Sequence, residues 1–160
     1  MLRPGVLDRL CADESASAMD GNDGLSWTAY LDAIKRDLQD LLNTRRLLSE
    51  EALSLYPEAR RSLLLYGLPD LTSLASASAT QRDRLISLVE AAIAQFEPRL
   101  MGARVIPLAP DEAGREIRFR VEGFVRADPL PARIIFDSAI QVDQQQCRIE
   151  RVDPDRGNGL

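Results

Sequence analysis

The chain has 160 residues, a length that fits one domain able to bury a core without a metal ion or a disulfide. Asp and Glu number 25 against 20 Lys and Arg, and the formal charge of −5 argues against broad binding to nucleic acids or anionic membranes. The sequence contains no histidine, which excludes Ser-His-Asp and Cys-His nucleophile systems, His general bases and HExxH zinc sites.

Cysteine usage and the first residues point to a reducing compartment. Cys11 and Cys147 are far apart and match no metal-ligand spacing, so we expect free thiols, with a disulfide as the alternative. The first ten residues lack the continuous apolar stretch of a signal peptide, and no segment has the ~20 apolar residues of a membrane helix. We therefore expect a cytoplasmic protein with no cofactor, no metal site, no nucleic-acid partner and no membrane insertion.

The part of the chain before residue 80 alternates between one predicted helix and weaker signals. Residues 1–24 are predicted to be a mobile arm, with one short amphipathic turn at residues 6–10 and a linker poor in apolar residues. Pro57 suits the first turn of a short helix that reaches Leu65. Residues 73–79 are small and predict a second linker.

Two segments have the spacing of amphipathic helices. Ser26 is typical of an N-cap for a helix that runs to about Asn43, and Thr80 and Asp83 form a cap-like pair before a helix that ends at Pro98. The predicted buried stripe of the first helix is Trp27, Tyr30, Leu31, Ile34, Leu38, Leu41 and Leu42. The predicted buried stripe of the second helix is Leu85, Leu88, Val89, Ala92, Ile93 and Phe96.

After Pro98 the period of the apolar residues changes from about 3.6 to about 2, which predicts strands. These strands are expected at residues 104–108, 117–122, 134–140 and 147–152, with turns at 110–114 and 128–131 and a bulge at Gly123. Helices followed by a strand meander predict an α+β fold, in which several helices pack on one small antiparallel sheet formed by the C-terminal third. We expect one domain at residues 25–153 and a flexible tail at residues 154–160.

Three short segments contain residues that are typical of helix ends and turns. Leu-Leu-Asn-Thr-Arg-Arg at residues 41–46 (the helix-end segment) is typical of a helix C-terminus, where cations complement the helix dipole. Tyr-Gly-Leu-Pro-Asp at residues 66–70 (the glycine turn) combines a residue that permits positive φ with one that ends helices. Phe-Glu-Pro-Arg-Leu at residues 96–100 (the proline segment) is typical of a helix stop. Each segment taken alone is explained as ordinary local structure.

In this order the three segments resemble a known family. Together with Leu-Asp-Arg-Leu at residues 7–10 and Tyr-Pro at residues 56–57, they resemble the baseplate wedge proteins of contractile injection machines. That family includes the TssE subunits of type VI secretion and the "lysozyme-related" proteins of contractile-tail phages. The resemblance covers most of the chain and reaches the closing strands, but the linker at residues 12–24 and the tail after Asp153 match nothing in the family.

The resemblance implies a non-catalytic structural subunit of a baseplate docked at the inner membrane. It places this subunit beside TssF and TssG, with TssK nearby, and implies that Glu97, Pro98 and Arg99 dock onto the helical core bundle of the wedge. It also implies that a sheet edge among residues 117–152, sought in the strands at 134–140 and 147–152, templates the TssB/TssC sheath by strand addition. We add Arg45 and Arg46 as partner-binding candidates, because arginine suits bidentate interface contacts.

The sequence leaves two other functions open. A peptidoglycan hydrolase needs two carboxylates that flank a sugar cleft, one of them with a raised pKa. The Asp and Glu residues have no apolar, aromatic sequence neighbourhood typical of such a cleft, and Trp27 fits the helix stripe instead. The third interpretation is an unrelated α+β adaptor.

Overall fold

The computed structural model describes residues 27–46, 48–49, 51–70, 79–109, 116–126, 130–141, 144 and 146–152. Its helices are α1 (Trp27–Asn43) and α2 (Ala79–Phe96), with two short 3₁₀ helices between them at Pro57–Arg61 and Leu63–Leu65. Its strands are β1 (Leu100–Pro107), β2 (Glu116–Val125), β3 (Ala132–Gln141) and β4 (Gln146–Val152). The predicted N-terminal arm, Cys11, the Ser26 cap, the turn at 110–114 and the C-terminal tail lie outside the described residues, as does nearly all of the linker at 73–79.

The four strands form one antiparallel sheet in the order β1-β2-β3-β4, with the helices on one face. Helix α2 packs mainly on β1, and helix α1 packs mainly on β4. This confirms the predicted α+β fold and the antiparallel sheet in the C-terminal part. In the described part of the chain, neither helix is long and apolar enough to span a membrane.

The core combines most of the two predicted helix stripes with the inward-facing residues of the sheet, whereas Leu88 and Phe96 of the second stripe are only half-buried. Phe119 and Phe136 lie at its centre with no exposed surface, and all of the first stripe except Trp27 is buried. The Trp27 prediction is wrong, because this residue begins α1 and keeps 37% of its surface exposed. The cap prediction for the second helix is also wrong, because α2 begins at Ala79 and places Thr80 inside its first turn.

The outward face of the sheet carries cross-strand ion pairs, as expected for the solvated side of an antiparallel sheet. Arg120 on β2 donates to Asp137 on β3 at 2.6 and 3.1 Å, and Arg133 on β3 donates to Glu122 on β2 at 2.5 Å. The Arg120 guanidinium holds the pKa of the Asp137 carboxyl below its ordinary value. These pairs stabilise the β2–β3 alignment without contributing to the core.

The predicted bulge is present near Gly123, but the irregularity lies on the opposite strand. The β1–β2 register shifts between Met101 and Arg104, and Gly102 within that shift has a φ of +61°. Gly123 serves close packing instead, since a Cβ on it would lie 2.5 Å from the Leu100 side chain. A glycine in a strand pattern is consistent with either role, which is why the sequence placed the bulge on the wrong strand.

The sheet order shows which of the two strands considered for the templating edge, at residues 134–140 and 147–152, has a free side. The strand expected at residues 134–140 is β3, which pairs with β2 on one side and with β4 on the other. Its backbone groups are used by these two ladders, so β3 has no free edge for another strand. Among the described strands, β1 and β4 form the two edges of this sheet.

Candidate docking site

The proline segment folds into a network of ion pairs at the end of α2. The Glu97 side chain is buried, and its carboxylate accepts hydrogen bonds from Arg99 Nε at 2.7 Å and Arg99 Nη2 at 2.5 Å. The backbone N–H of Arg99 donates to the same carboxylate at 3.1 Å. Pro98, which lies between Glu97 and Arg99, is exposed. Its ring fixes its own φ angle and restricts the backbone conformation of Glu97. The segment is therefore a tight internal clamp with a proline at its tip.

A third carboxylate joins the clamp to the first helix. Nη2 of Arg99 donates to Oδ2 of Asp37 on α1, at 2.5 Å and across 62 residues of sequence. The hydrogen bond to Glu97 is the largest cause that raises the pKa of Arg99 above its ordinary value, so its guanidinium is charged at every working pH. Asp37 was missed at the sequence level, because a single carboxylate on the polar face of a helix does not indicate a distant partner.

The helix-end segment and the glycine turn also meet in space. Arg45 and Leu68 form a short parallel bridge, in which the Leu68 N–H donates to Thr44 O at 2.8 Å and the Arg46 N–H donates to Leu68 O at 2.9 Å. Gly67 has a φ of +100°, and a Cβ at this position would lie 2.3 Å from Thr44 O. Only glycine combines this backbone conformation with this close approach.

An aromatic contact connects the glycine turn to the proline segment. The rings of Tyr66 and Phe96 pack edge to face with their centroids 5.3 Å apart. Burial raises the pKa of Tyr66, and the nearby carboxylates of Asp40, Asp37 and Glu97 raise it further. The three segments singled out in the sequence therefore form one continuous cluster around the polar side of α1.

The two arginines proposed as partner contacts lie beyond the clamp, about two helical turns past Asp37. The Arg45 side chain is mostly exposed, with its guanidinium 4.0 Å from the Asp70 carboxylate of the glycine turn, and Arg46 is half-buried. The structure thus brings Glu97 and Arg99 into one network and places Arg45 in the neighbouring contact between the helix-end segment and the glycine turn.

Asn43 at the end of α1 is bound to the edge strand β4. Its side-chain amide donates from Nδ2 to Cys147 O at 3.1 Å and accepts at Oδ1 from the Cys147 N–H at 2.7 Å. The Cys147 thiol itself is free and buried, and burial raises its pKa to about 12. Within the described ranges, no group of three or more acidic or cysteine side chains is arranged to hold a metal ion.

The buried thiol gives a pH-dependent prediction. Because the folded-state pKa lies above the ordinary value of 9.0, Cys147 favours the fold fully below about pH 9, and this contribution is lost as the pH rises towards 12. We expect the native protein to resist iodoacetamide at Cys147 at pH 8 and the urea-unfolded protein to react. Mass spectrometry of a Cys11→Ser variant isolates this signal, and equal labelling rates in the two states would contradict the burial.

Comparison with known proteins identifies one matching family model. Residues 28–130 match the family model of the baseplate wedge protein gp25, a range that includes α1 except its first residue, all of α2, β1 and β2, and all three segments. No curated protein matches the chain significantly. Because the family match covers more than half of the 160 residues, the resemblance seen in the sequence is confirmed, and the chain belongs to the baseplate wedge protein gp25 family, the family of TssE-like proteins.

Proposed function

We propose that this chain is a non-catalytic subunit of a type VI secretion baseplate wedge. It binds the TssF/TssG core with TssK nearby, in a cytoplasmic baseplate docked at the inner membrane, and it templates the TssB/TssC sheath by strand addition. Family membership supports a structural role in a baseplate. We assign residues 25–153 to the wedge domain, residues 1–24 to an N-terminal arm and residues 154–160 to a tail.

The observation that carries the docking proposal is the Glu97–Arg99–Asp37 network, in which Glu97 is buried and Arg99 and Asp37 are partly exposed. It fixes the proline segment before any partner arrives, so little conformational entropy is lost on docking. Glu97 is 3% exposed and therefore acts as a positioning residue, whereas Pro98 and the exposed fifth of the Arg99 side chain form the contact surface. In this proposal Glu97, Pro98 and Arg99 have different roles, whereas the resemblance alone implied that all three contact the partner.

Two further features support assembly with other proteins. The Arg45 side chain is 59% exposed at the end of α1, where it can pair with a carboxylate of a partner, and Arg46 follows it as the second candidate. The connector between the helices exposes large apolar side chains, with Leu55 at 83% and Leu63 at 79% of their full surface. Exposed apolar residues of this size mark surfaces that become covered in complexes when they are contiguous.

A proline variant tests the docking surface without breaking the clamp. Pro98→Glu places a charge at the exposed tip, and we expect it to abolish co-purification with TssF and TssG. The matched control Pro107→Glu makes the same change at an exposed proline at the other end of β1 and should keep the complex. Both variants should unfold within about 1 kcal/mol of the parent protein, since surface substitutions are mild. A Pro98→Glu subunit that co-purifies like the parent protein would remove the proline segment from the interface.

A further inference from the structure

The two edge strands of the described sheet, β1 and β4, differ in the backbone groups that they offer to another strand. In an antiparallel ladder, the N–H and C=O of alternate residues face the partner strand, and those of the residues between them face away. Cys147 lies opposite Ile140 of β3, yet both of its backbone groups bind the Asn43 side chain. Cys147 is therefore an outward-facing position of β4, and its edge groups are already occupied.

The alternation then identifies the open positions on β4. Ile149, opposite Ser138, and Arg151, opposite Phe136, have the same outward phase as Cys147. Among the described residues, none bonds to the outward N–H of Ile149. Residues 148 and 150 have the opposite phase and use their backbone groups to hold β4 on β3. In the described part of β4, the edge thus presents outward backbone groups at two alternate residues, Ile149 and Arg151.

The β1 edge is closed by contrast. Val105, opposite Val121, has the outward phase on this strand, and its N–H donates to Glu90 Oε2 of α2 at 2.9 Å. The next outward position is Pro107, which has no N–H to offer, while the irregularity around Gly102 interrupts the strand on the other side. An added strand would find one donor occupied and the next one missing, a common protection of edge strands.

We infer that β4 is the strand-accepting edge and that Asn43 sets where an added strand begins, opposite Ile149. This inference rests on the proposed function, because it names the edge at which the sheath strand is added. The occupant is an extended backbone, since the open groups of β4 repeat every second residue, as an incoming strand requires. The Asn43 side-chain amide makes the two hydrogen bonds at Cys147 that a peptide group of an added strand would make, so the accessible edge ends there.

A semisynthetic chain tests the edge. Cys147 permits native chemical ligation of residues 1–146 to a synthetic peptide of residues 147–160, so the full chain is obtained with one N-methylated residue. N-methyl-Ile149 removes an outward N–H, and we expect unchanged thermal unfolding and TssF/TssG binding but no sheath nucleation from TssB/TssC. N-methyl-Glu150 removes an inward N–H, and we expect a lower unfolding temperature.

The outcomes separate the edge from the function. If the N-methyl-Ile149 wedge nucleates sheath as well as the unmodified ligated wedge, the β4 assignment is overturned while strand addition survives. If the unmodified wedge nucleates no sheath, strand addition itself is overturned, and the edge assignment with it. If N-methyl-Ile149 lowers the unfolding temperature as much as N-methyl-Glu150 does, the phase derived for β4 is wrong.

Amide hydrogen exchange of the free subunit tests the role of Asn43. We expect Asn43→Ala to speed exchange of the Cys147 amide about tenfold, the factor that corresponds to one lost hydrogen bond. Asn43→Asp retains the accepting oxygen and should keep this amide protected, and Gln39→Ala, one turn earlier on α1, is the matched control. Unchanged exchange at Cys147 in Asn43→Ala would overturn the role of Asn43.

Discussion

Arg99→Ala is expected to lower the free energy of unfolding by about 3 kcal/mol, because it leaves the buried Glu97 carboxylate without its counter-charge. Arg99 makes both side-chain contacts to Glu97 and the contact to Asp37, so a single truncation removes every ion pair of the network and leaves only the backbone N–H of residue 99 on the Glu97 carboxylate. Urea unfolding followed by far-UV circular dichroism measures the loss.

Arg36→Ala is the matched control for this prediction. Arg36 also pairs with Asp37, at 3.0 Å, but 53% of its side chain is exposed and solvent screens the pair. We expect a change of less than about 1 kcal/mol for this variant. Equal unfolding midpoints for the parent protein and Arg99→Ala would show that Glu97 is not held in a buried charge pair. That result would favour the expectation from the sequence, in which Glu97, Pro98 and Arg99 all contact the wedge core.

Gly67→Ala is expected to cost about 3 kcal/mol or more. A left-handed backbone with a Cβ already costs about 1–2 kcal/mol, and here the Cβ would also lie 2.3 Å from a backbone oxygen, Thr44 O. Because that oxygen belongs to the helix-end segment, relief requires the glycine turn to separate from residue 44. Two hydrogen bonds of the bridge between these segments would then be weakened together.

Gly102→Ala separates the two causes. Gly102 has a φ of +61°, but a Cβ added there meets no atom within 4 Å, so only the backbone cost of about 1 kcal/mol remains. Thermal unfolding of both variants measures the difference. If the two variants lose the same stability, the close approach of Gly67 to Thr44 contributes nothing to the requirement for glycine.

Local periodicity predicted the elements of this fold well. The spacing from Tyr30 to Leu42 fixes one buried face of α1, and the alternation of Ile117, Phe119 and Val121 fixes the inward face of β2. These predictions depend only on neighbours within a turn or a strand, where repeat distance determines the face. The prediction that Trp27 is buried was wrong, because the spacing of a helix stripe does not show which of its end residues the core covers.

The candidate site was predictable in its segments and not in its contacts. The pairs Arg99–Asp37 and Asn43–Cys147 join residues 62 and 104 positions apart, and a sequence contains no spacing signal for such tertiary pairs. The sequence left two strands open as the templating edge for the same reason, since the neighbours of β3 are set by sheet order. The glycine turn was recognised as a turn, but its contact with Thr44 needed the structure.

We propose that the proline segment docks the subunit onto the wedge core. An electron cryomicroscopy structure of the full chain reconstituted with TssF and TssG would show this contact. The predicted result is that Pro98 and Arg99 contact the helical core bundle while Glu97 stays paired with Arg99 inside this chain. A complex in which the proline segment faces solvent, and another surface of the subunit contacts TssF and TssG, would contradict it.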